Sequence, residues 1–459
     1  MNQIPNSLHA SDIAHSMHPY TNMRAHEEQG PLVMTKGDGV RVYDSEGKEY
    51  IEGLAGLWSV AVGFSEPRLR EAAVRQMDAL PYYHTFAHKG NEPAIRLAEK
   101  LAEMTPEGLN RAFFTNSGSE ANDTVIKMVW FMNNALGRPA KKKFLARNKA
   151  YHGITVASGS LTGLPANHRD FDLPAIPVTH LTCPHFWKFG LEGETEAEFT
   201  ARLLKELEDT ILAEGPDTIA AFIGEPCMGA GGVITPPAGY WPGVAEICAK
   251  YDILLVSDEV INGFGRLGTP FGCQKYGFTP DIMVTSKQLT SSYMPLAAIM
   301  VNDKVYNAIA DNSAKLGTFG HGYTASGHPV SCAVGIENLK IIEERDLMGN
   351  AARMEPIFQA GLQSFADHPL VGEVRGTGLI GGLELADKAT RQPIGTPGAL
   401  AARVAKAAQN AGLICRNVYD TVALCPPLIV TEDDIAQIFA RLRSALDTVA
   451  EEAKAEGLI

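Results

Sequence analysis

The sequence predicts an α/β protein built around a mostly parallel β-sheet. Between about residues 60 and 325, short apolar runs recur without polar alternation, and helical stretches separate them. Such runs are typical of strands buried on both faces, and intervening helices are typical of parallel connections. The runs are AFFT ending at Thr115, KFLA around Phe144, IAAFIG (219–224), ILLVS (253–257) and DIMVT (281–285).

Composition excludes several other classes of protein. The chain has 459 residues, of which 45% are hydrophobic and 20% charged, so about two domains are expected. Its net charge of -13 and lack of basic blocks argue against nucleic-acid binding. No apolar run is long enough to span a bilayer, and the first residues do not resemble a secretory signal. Seven scattered cysteines without a C-x-x-C pair favour reduced thiols in the cytoplasm.

The flanking segments predict further elements. The first 35 or so residues are polar and aperiodic, as expected of an arm that packs on a larger body. VRVYDSEGKEYIE (40–52) predicts a hairpin that turns through Asp44 to Gly47. After about residue 330, the helical pattern of SCAVGIENLKIIEE, the strand-like GEVRGTGLIGGLEL and ICRNVYDTVALCPP, and a last helix capped by Thr431 predict a smaller α+β unit.

Three patterns suggest other functions but lack the context that those functions require. Gly376–Gly381 matches G-x-G-x-x-G, yet the chain continues as a strand where a dinucleotide site needs a helix. His84 and His88 have i, i+4 spacing, but no third zinc ligand is evident. Asn122 begins a glycosylation sequon, which matters only in a secreted protein. We therefore predict neither a nicotinamide cofactor nor a metal ion.

Three other segments carry residues that suit one chemistry. Thr115 ends a buried strand, and the Ser117-Gly118-Ser119 turn begins a helix, so N–H groups, the helix dipole and two hydroxyls converge as in a phosphate site. Asp258 lies at the carboxyl end of the run ILLV, where α/β folds place their sites. Lys287 directly follows the run DIMVTS. Taken singly, these features fit a helix cap, a turn residue and a solvated lysine.

Taken together, the three segments suit pyridoxal 5′-phosphate (PLP). A lysine can form a Schiff base with the cofactor, and a carboxylate can keep the pyridine nitrogen protonated so that the ring accepts electrons. The helix N-terminus can bind the phosphate. Because each residue type is needed for a separate reason, their conjunction is far more specific than any one of them.

At these residues the chain resembles a known family, the class III aminotransferases of PLP fold type I, and in particular the omega-transaminases that use pyruvate as amino acceptor. The resemblance extends from GLWSVAVGF (56–64) to LCPPLIVTEDD (424–434). Its most specific parts are FFTNSGSEAND (113–123), AYHG (150–153), FIGEPCMGAGGVI (222–234), LLVSDEVINGFGRLG (254–268), SKQLTSSYMPLAA (286–298) and YTASGHP (323–329).

The resemblance implies an architecture and a homodimeric or tetrameric assembly. We expect a large PLP-binding domain (60–329) with a mostly parallel seven-stranded sheet. A smaller α+β domain would be formed by residues 330–459 and part of residues 1–59, which also supply an N-terminal arm. Thr324 matches a threonine that caps the cofactor phosphate of the neighbouring subunit, so the assembly would share its active sites.

The resemblance also implies a role for each matching residue. Catalysis is assigned to Lys287, the Schiff-base lysine, and to Asp258, the partner of the pyridine nitrogen. The implied cofactor-binding residues are Ser117, Gly118, Ser119, Tyr151, His152, Glu225, Asp258, Val260, Lys287 and Thr324. The implied substrate-binding residues are Trp58, Phe86, Tyr151 and Arg416. Arg416 matches a mobile arginine that binds the substrate carboxylate, whereas Trp58 and Phe86 also fit as ordinary core aromatics.

Two departures from the family pattern stand beside these matches. Ala325 occupies a position where an aromatic residue is usual, and SKQLTSS replaces the commoner AKGLTSG. Either change can alter the pocket or the surroundings of the lysine, but neither removes a reacting group.

The implied reaction is ping-pong transamination from an amine or omega-amino acid to a keto acid, with pyruvate as the expected acceptor. Lys287 would move a proton as general base and acid. An aminomutase, a racemase or a decarboxylase of the same superfamily is the main alternative, and a non-catalytic PLP-binding protein is more distant. β-Alanine, taurine, diamines and arylalkylamines are all compatible amine donors.

Overall fold

The computed structural model describes residues 7–459. The strands, in chain order, are β1 (Met34–Asp38), β2 (Arg41–Asp44), β3 (Glu49–Glu52), β4 (Leu109–Thr115), β5 (Lys143–Arg147), β6 (Val178–Leu181), β7 (Ile219–Gly224), β8 (Leu254–Asp258), β9 (Ile282–Thr285), β10 (Ala297–Asn302), β11 (Val371–Thr377), β12 (Ile380–Leu385), β13 (Leu413–Ile414), β14 (Arg416–Val418) and β15 (Thr421–Leu424).

The α-helices, in chain order, are α1 (Leu8–His15), α2 (Met23–Gln29), α3 (Ala55–Trp58), α4 (Pro67–Ala79), α5 (Glu92–Met104), α6 (Gly118–Ala135), α7 (Val156–Leu161), α8 (Phe186–Phe189), α9 (Glu196–Glu214), α10 (Tyr240–Lys250), α11 (Gly272–Lys275), α12 (Asp303–Leu316), α13 (Pro329–Glu344), α14 (Leu347–Gln363), α15 (Ala399–Asn410) and α16 (Glu432–Ala455). Short 3-10 turns occur at Pro165–Asn167 and Lys287–Leu289.

The largest sheet has seven strands in the order β4-β10-β9-β8-β7-β5-β6. Strand β10 runs antiparallel to both of its neighbours, and the other pairings are parallel. Its strands are buried on both faces. In β8, Leu254 and Val256 pack into one apolar cluster with α6, while Leu255 packs into the other. The predicted α/β class and mostly parallel sheet are therefore confirmed, and the continuous apolar runs follow from this two-sided burial.

Two further sheets have four strands each. The first has the order β1-β2-β3-β13, and Leu413 of β13 lies opposite Ile51 of β3. The segment before the large sheet and the segment after it therefore pair in one sheet. The second has the order β11-β12-β15-β14. The hairpin predicted at 40–52 is β2-β3, and the Asp44 carboxylate accepts N–H bonds at 2.9 Å from Glu46 and Lys48 within its turn. The domain boundaries at 59/60 and 329/330 stay a prediction.

The glycine motif at 376–381 spans the turn between β11 and β12, and the two strands pair antiparallel around it. Gly378 has φ 55°, and a Cβ there would lie 2.5 Å from the Arg266 carbonyl oxygen. Glycine is therefore required by a tight turn and a close approach. The helix that a dinucleotide site needs does not follow, in agreement with the exclusion of that site.

The N-terminal arm contains a cluster that sequence analysis did not predict. The Nε2 atoms of His18 and His26 each lie 2.9 Å from Oδ2 of Asp12. This is the ordinary length of an N–H···O bond, so both imidazoles can hydrogen-bond to the one carboxylate, and the three groups also lie close enough together to hold a metal ion. The cluster joins α1, α2 and the turn between them, and that turn carries Tyr20. Within residues 7–459, no helix has the length and apolar character to cross a bilayer.

Candidate active site

A cavity of about 310 Å³ opens at the carboxyl ends of β4, β5, β7, β8 and β9. Parallel strands bring their ends to one edge of a sheet, which is why residues distant in sequence meet there. The predicted residues that line this cavity are Ser117, Gly118, Ser119, Tyr151, His152, Glu225, Asp258, Val260 and Lys287. The structure thus brings together nine of the residues that the sequence analysis assigned to the site.

The N-terminus of α6 forms one wall of the cavity. The Ser117 hydroxyl caps the helix by accepting a bond from the Glu120 N–H at 3.2 Å, and the Glu120 carboxylate accepts from the Asn116 N–H at 2.8 Å. A Cβ on Gly118 would lie 3.1 and 3.3 Å from the methyl groups of Val260, so glycine lets the valine approach the helix. Backbone N–H groups and the positive end of the dipole make this wall suitable for an anionic group.

Asp258, the last residue of β8, is 2% exposed and surrounded by donors. Its Oδ2 lies 2.8 Å from Nδ1 of His152 and accepts a bond at 3.0 Å from Nδ2 of Asn122. Its Oδ1 accepts the N–H of Val260 at 3.2 Å. These contacts hold the carboxylate in one orientation at the edge of the cavity, where it can face a cationic N–H group.

Lys287 begins the turn after β9 and has φ 33°. Burial lowers the pKa of its ammonium group, while the charges of Asp258 and Glu225 act in the opposite direction. A lysine with a lowered pKa is more often neutral, and the neutral amine is the form that attacks a carbonyl group. The side chain therefore has the environment that a nucleophilic lysine requires.

Glu225 and Tyr151 form a further wall. The Glu225 carboxylate accepts the N–H of Tyr151 at 3.0 Å and that of Gly229 at 3.0 Å. Burial raises the pKa of Glu225. Burial, followed by the neighbouring Tyr20 hydroxyl, raises the pKa of Tyr151, so its phenol keeps its proton at neutral pH. Glu225 thus orients the segment that carries Tyr151.

Four predicted residues lie outside this cavity. Trp58 is 2% exposed and packs in an apolar cluster with Ile261 and Cys425. Phe86 is 45% exposed and lines a separate cavity. Thr324 is exposed, and its carbonyl oxygen accepts a bond from the Tyr82 hydroxyl at 2.9 Å.

Arg416 is the fourth predicted residue that does not line the cavity. It begins β14, and its positive charge opposes the charged ammonium form of Lys287 and lowers the pKa of that group. It acts in the same direction on Tyr151. The charge of the guanidinium therefore acts on Lys287 and Tyr151, although Arg416 does not line the cavity.

Sequence reasoning missed several residues of the site. Asn122 follows Gly118 by one helical turn, so the helical period places it on the same face of α6, and this spacing is the signal that could have found it. Tyr20 reaches Tyr151 from the aperiodic arm, where no local pattern indicates a role. Other residues that line the cavity without an assigned role are Asn116, Gly153, Ile261, Ser286, Thr290, Ser292, Met294, Pro295 and Leu296.

The arrangement fits PLP on chemical grounds. An anion site at α6, an amine at Lys287 and a buried carboxylate at Asp258 face one cavity, and they match the phosphate, the aldehyde and the ring nitrogen of the cofactor. With the seven-stranded sheet, this donor set defines a PLP-dependent transferase of fold type I.

Comparison with known proteins identifies the family. The family model "Aminotransferase class-III" matches residues 23–446, so the chain belongs to the class III aminotransferases and uses PLP. The omega transaminase of Pseudomonas jessenii, solved in complex with pyridoxamine phosphate (PMP), is 57% identical over 97% of this chain and 98% of its own, with a TM-score of 0.96.

Two further relatives are informative. A solved transaminase with L-alanine is 54% identical over 92% of this chain and all of its own, with a TM-score of 0.91. Gamma aminobutyrate transaminase 3 of Solanum lycopersicum, described as chloroplastic, is 49% identical over 96% of this chain and 86% of its own length. The predicted aminotransferase class and cofactor are thus confirmed.

Proposed function

We propose that this aminotransferase moves an amino group from a primary amine or omega-amino acid to pyruvate by a ping-pong mechanism. The observation that carries the proposal is the convergence of Lys287 and Asp258 on one cavity, with the charge of Arg416 acting on Lys287. When bound, PLP supplies an electron sink for the carbon that loses a proton. Every other part of the reaction depends on side chains of the chain itself.

Lys287 has two roles in this proposal. Its neutral amine would hold the cofactor covalently, and its Nζ, once free, would take the proton from the substrate carbon and deliver it to the carbon that bore the cofactor's aldehyde. The pKa lowered by burial favours both roles. Asp258 would hold the ring nitrogen and stabilise its positive charge, while His152 and Asn122 keep the carboxylate in place.

The first turn of α6 would hold the phosphate in this proposal, and Tyr151 and Val260, which line the same cavity, would hold the ring. Arg416 binds the carboxylate of the keto acid, since a guanidinium and a carboxylate pair in a planar, bidentate geometry. An amine without a carboxylate needs no such partner, so the same pocket serves both half-reactions. The solved relative with L-alanine, the amino acid that pyruvate yields, supports pyruvate as acceptor.

The half-reactions test this proposal directly. The holoenzyme is mixed with one amine donor, and the absorbance band of the lysine-bound cofactor should disappear in one stoichiometric step. Pyruvate should then restore it, and 2-oxoglutarate should restore it more slowly. Arylalkylamine, β-alanine, γ-aminobutyrate, taurine and a diamine are compared as donors. Turnover without any keto acid would instead indicate an aminomutase, a racemase or a decarboxylase, and restoration only by 2-oxoglutarate would reject pyruvate.

We further propose a homodimer, or a tetramer built from it, in which Thr324 contacts the cofactor phosphate of the partner subunit. The exposure of Phe86 and Thr324, and their position outside the cavity of their own chain, support this proposal. Lys287→Ala should be inactive and Thr324→Ala should bind PLP more weakly. Refolded together they should give more activity than the two variants refolded separately, because one site of the mixed dimer then has both native residues. If mass spectrometry shows that mixed dimers have formed and their activity does not increase, the proposal that the subunits share active sites is contradicted.

We propose the cytoplasm as the compartment of this enzyme. The seven cysteines are all free, as expected in a reducing environment. The Solanum relative is described as chloroplastic, so the compartment of this enzyme has to be measured directly. Fractionation of the source cells should find the enzyme with cytoplasmic markers, and enrichment with an organelle would contradict the proposal.

A further inference from the structure

Gln288 is the residue at which SKQLTSS departs from the commoner AKGLTSG. It directly follows Lys287 and is 1% exposed. Its carboxamide Nε2 donates to the carbonyl oxygen of Ile261 at 3.1 Å and to that of Gly263 at 2.8 Å. Both N–H groups of the carboxamide therefore donate to one short segment, residues 261–263, which begins three residues after Asp258.

The same carboxamide is joined to a buried arginine. Nη2 of Arg266 donates to Oε1 of Gln288 at 3.3 Å, and the Arg266 side chain is fully buried. Its Nη1 donates to the carbonyl oxygens of Leu379 and Pro426, at 3.1 and 2.5 Å. The contact chain thus extends from the lysine turn to the C-terminal part of the protein, which also carries Arg416.

The backbone of the turn is held from the opposite direction. Nδ2 of Asn338, in α13, donates to the carbonyl oxygen of Gln288 at 2.7 Å and to that of Leu289 at 3.1 Å. The Ser291 hydroxyl donates to Oδ1 of Asn338 at 2.7 Å. The turn after Lys287 is consequently bound both through its backbone and through one side chain.

Lys287 needs such support because its φ of 33° lies in the left-handed region, which non-glycine residues adopt rarely and at a cost. A strained backbone of this kind persists only where surrounding contacts determine it. Small displacements of a reacting group have large effects on rate, so the contacts that hold the turn affect the chemistry.

We propose that Gln288 is a positioning residue that joins the Lys287 turn to the Asp258–Gly263 segment and, through Arg266, to the C-terminal part of the chain. This inference rests on the proposed function of Lys287. It explains why glutamine stands beside the lysine, since a glycine at this position would remove all three side-chain bonds. The carboxamide would set where the lysine Nζ lies relative to the carboxylate of Asp258.

The test variant is Gln288→Met, which keeps the volume of the side chain and removes its hydrogen bonds. Cofactor-free protein is mixed with PLP, and the rate of covalent capture is followed by absorbance and by borohydride trapping. We expect the rate of covalent capture and kcat to fall about 10- to 100-fold, while KM for the amine stays within about threefold of the native value. The pH titration of the lysine-bound cofactor band should also shift.

Asn350→Leu is the matched control. Nδ2 of Asn350 likewise donates to two carbonyl oxygens, those of Leu428 and Val430, at 2.8 and 3.1 Å, but it does not contact the lysine turn. This variant should lower Tm while keeping the native capture rate. Equal capture rates and titrations in native protein and Gln288→Met, or the same loss in both variants, would overturn the proposal.

A second variant covers the case in which Gln288→Met does not fold. Gln288→Glu loses both donated bonds but keeps an oxygen for Arg266, and it should show the same kinetic signature. Lys287→Ala separates the two hypotheses. If it still captures PLP covalently at the native rate, the proposed function of Lys287 fails. If it is inert while both Gln288 variants match the native protein, only the positioning role fails.

Discussion

Nδ1 of His152 lies 2.8 Å from Oδ2 of Asp258, and both side chains are almost fully buried. Nδ2 of Asn122, from α6, donates to the same oxygen at 3.0 Å and to the carbonyl oxygen of His152 at 2.6 Å. A carboxylate held by two side chains cannot rotate freely, so its charge keeps a constant position. Preorganised charge of this kind stabilises a developing positive charge without reorganisation during the reaction.

The first prediction concerns the charge of Asp258. Asp258→Asn keeps the shape of the side chain but removes the negative charge that we propose as the partner of the ring nitrogen. We expect kcat to fall by about 10²-fold or more, with Tm close to the native value. Steady-state kinetics and a thermal scan check this. A kcat within threefold of native would show that the carboxylate has no electrostatic role.

The second prediction concerns Asn122. Asn122→Leu removes one of the two side-chain donors to Asp258 and leaves the charge. A hydrogen bond to a charged group contributes about 1.5–3 kcal/mol, so kcat/KM should fall about 10- to 100-fold. Asn134→Ala, an exposed change on the same helix, is the control and should be neutral. Equal kinetics of the two variants would remove Asn122 from the site.

The third prediction concerns Trp58, which is buried in the cluster beside Ile261, a residue that lines the cavity. Trp58→Gly should lower the free energy of unfolding by about 2–4 kcal/mol. The void costs about 3–5 kcal/mol, but glycine accepts the positive φ of 63° at this position, which offsets about 1 kcal/mol. The same void should admit amines with two bulky substituents, raising their kcat/KM relative to a small amine. Denaturant unfolding and a donor series measure both effects. Loss of stability without a change in donor preference would make Trp58 a core residue only.

The fourth prediction concerns Arg416. Arg416→Leu removes the proposed partner of the substrate carboxylate. KM for pyruvate and for omega-amino acids should rise about 10- to 100-fold, since a charge-assisted bond contributes about 1.5–3 kcal/mol. KM for a monoamine without a carboxylate should stay nearly unchanged. Arg353→Leu, an exposed arginine paired with Asp346, serves as control. Equal increases for both donor types would contradict the assignment.

The fifth prediction concerns Glu52, whose carboxylate accepts the N–H of Leu54 at 2.9 Å at the start of the segment that carries Trp58. Burial raises the pKa of Glu52 to about 8, from an ordinary value of 4.5. The folded protein therefore retains a proton between these two values that the unfolded chain has lost, and its stability falls as the pH rises through this window.

Glu52→Gln removes this titration while keeping an acceptor for the Leu54 N–H. Its stability relative to the native protein should increase between pH 5 and 8 by about 2–4 kcal/mol and then level off. Denaturant unfolding at several pH values measures the difference. A difference independent of pH would show that Glu52 is ionised throughout.

Much of the fold was predictable because its signals are local. The strands of the large sheet are continuous apolar runs, and two-sided burial requires that pattern. The cap at Thr431 and the hairpin at 40–52 depend on residues a few positions apart. Lys287 and Asp258 could be found because strand ends identify the functional edge of such a sheet.

The sequence by itself determined the α/β class, the strand-end location of the site and the residue types that suit PLP, because each follows from short-range periodicity or from a recognisable motif. Only the tertiary structure decided which distant residues meet. Asn122 and Asp258 are 136 positions apart in the chain, and Arg266 hydrogen-bonds to the carbonyl oxygen of Pro426, which lies 160 positions away. Such contacts depend on how whole elements pack, which no local pattern encodes. For the same reason, the separation of Phe86 and Thr324 from their own cavity became visible only in the folded chain.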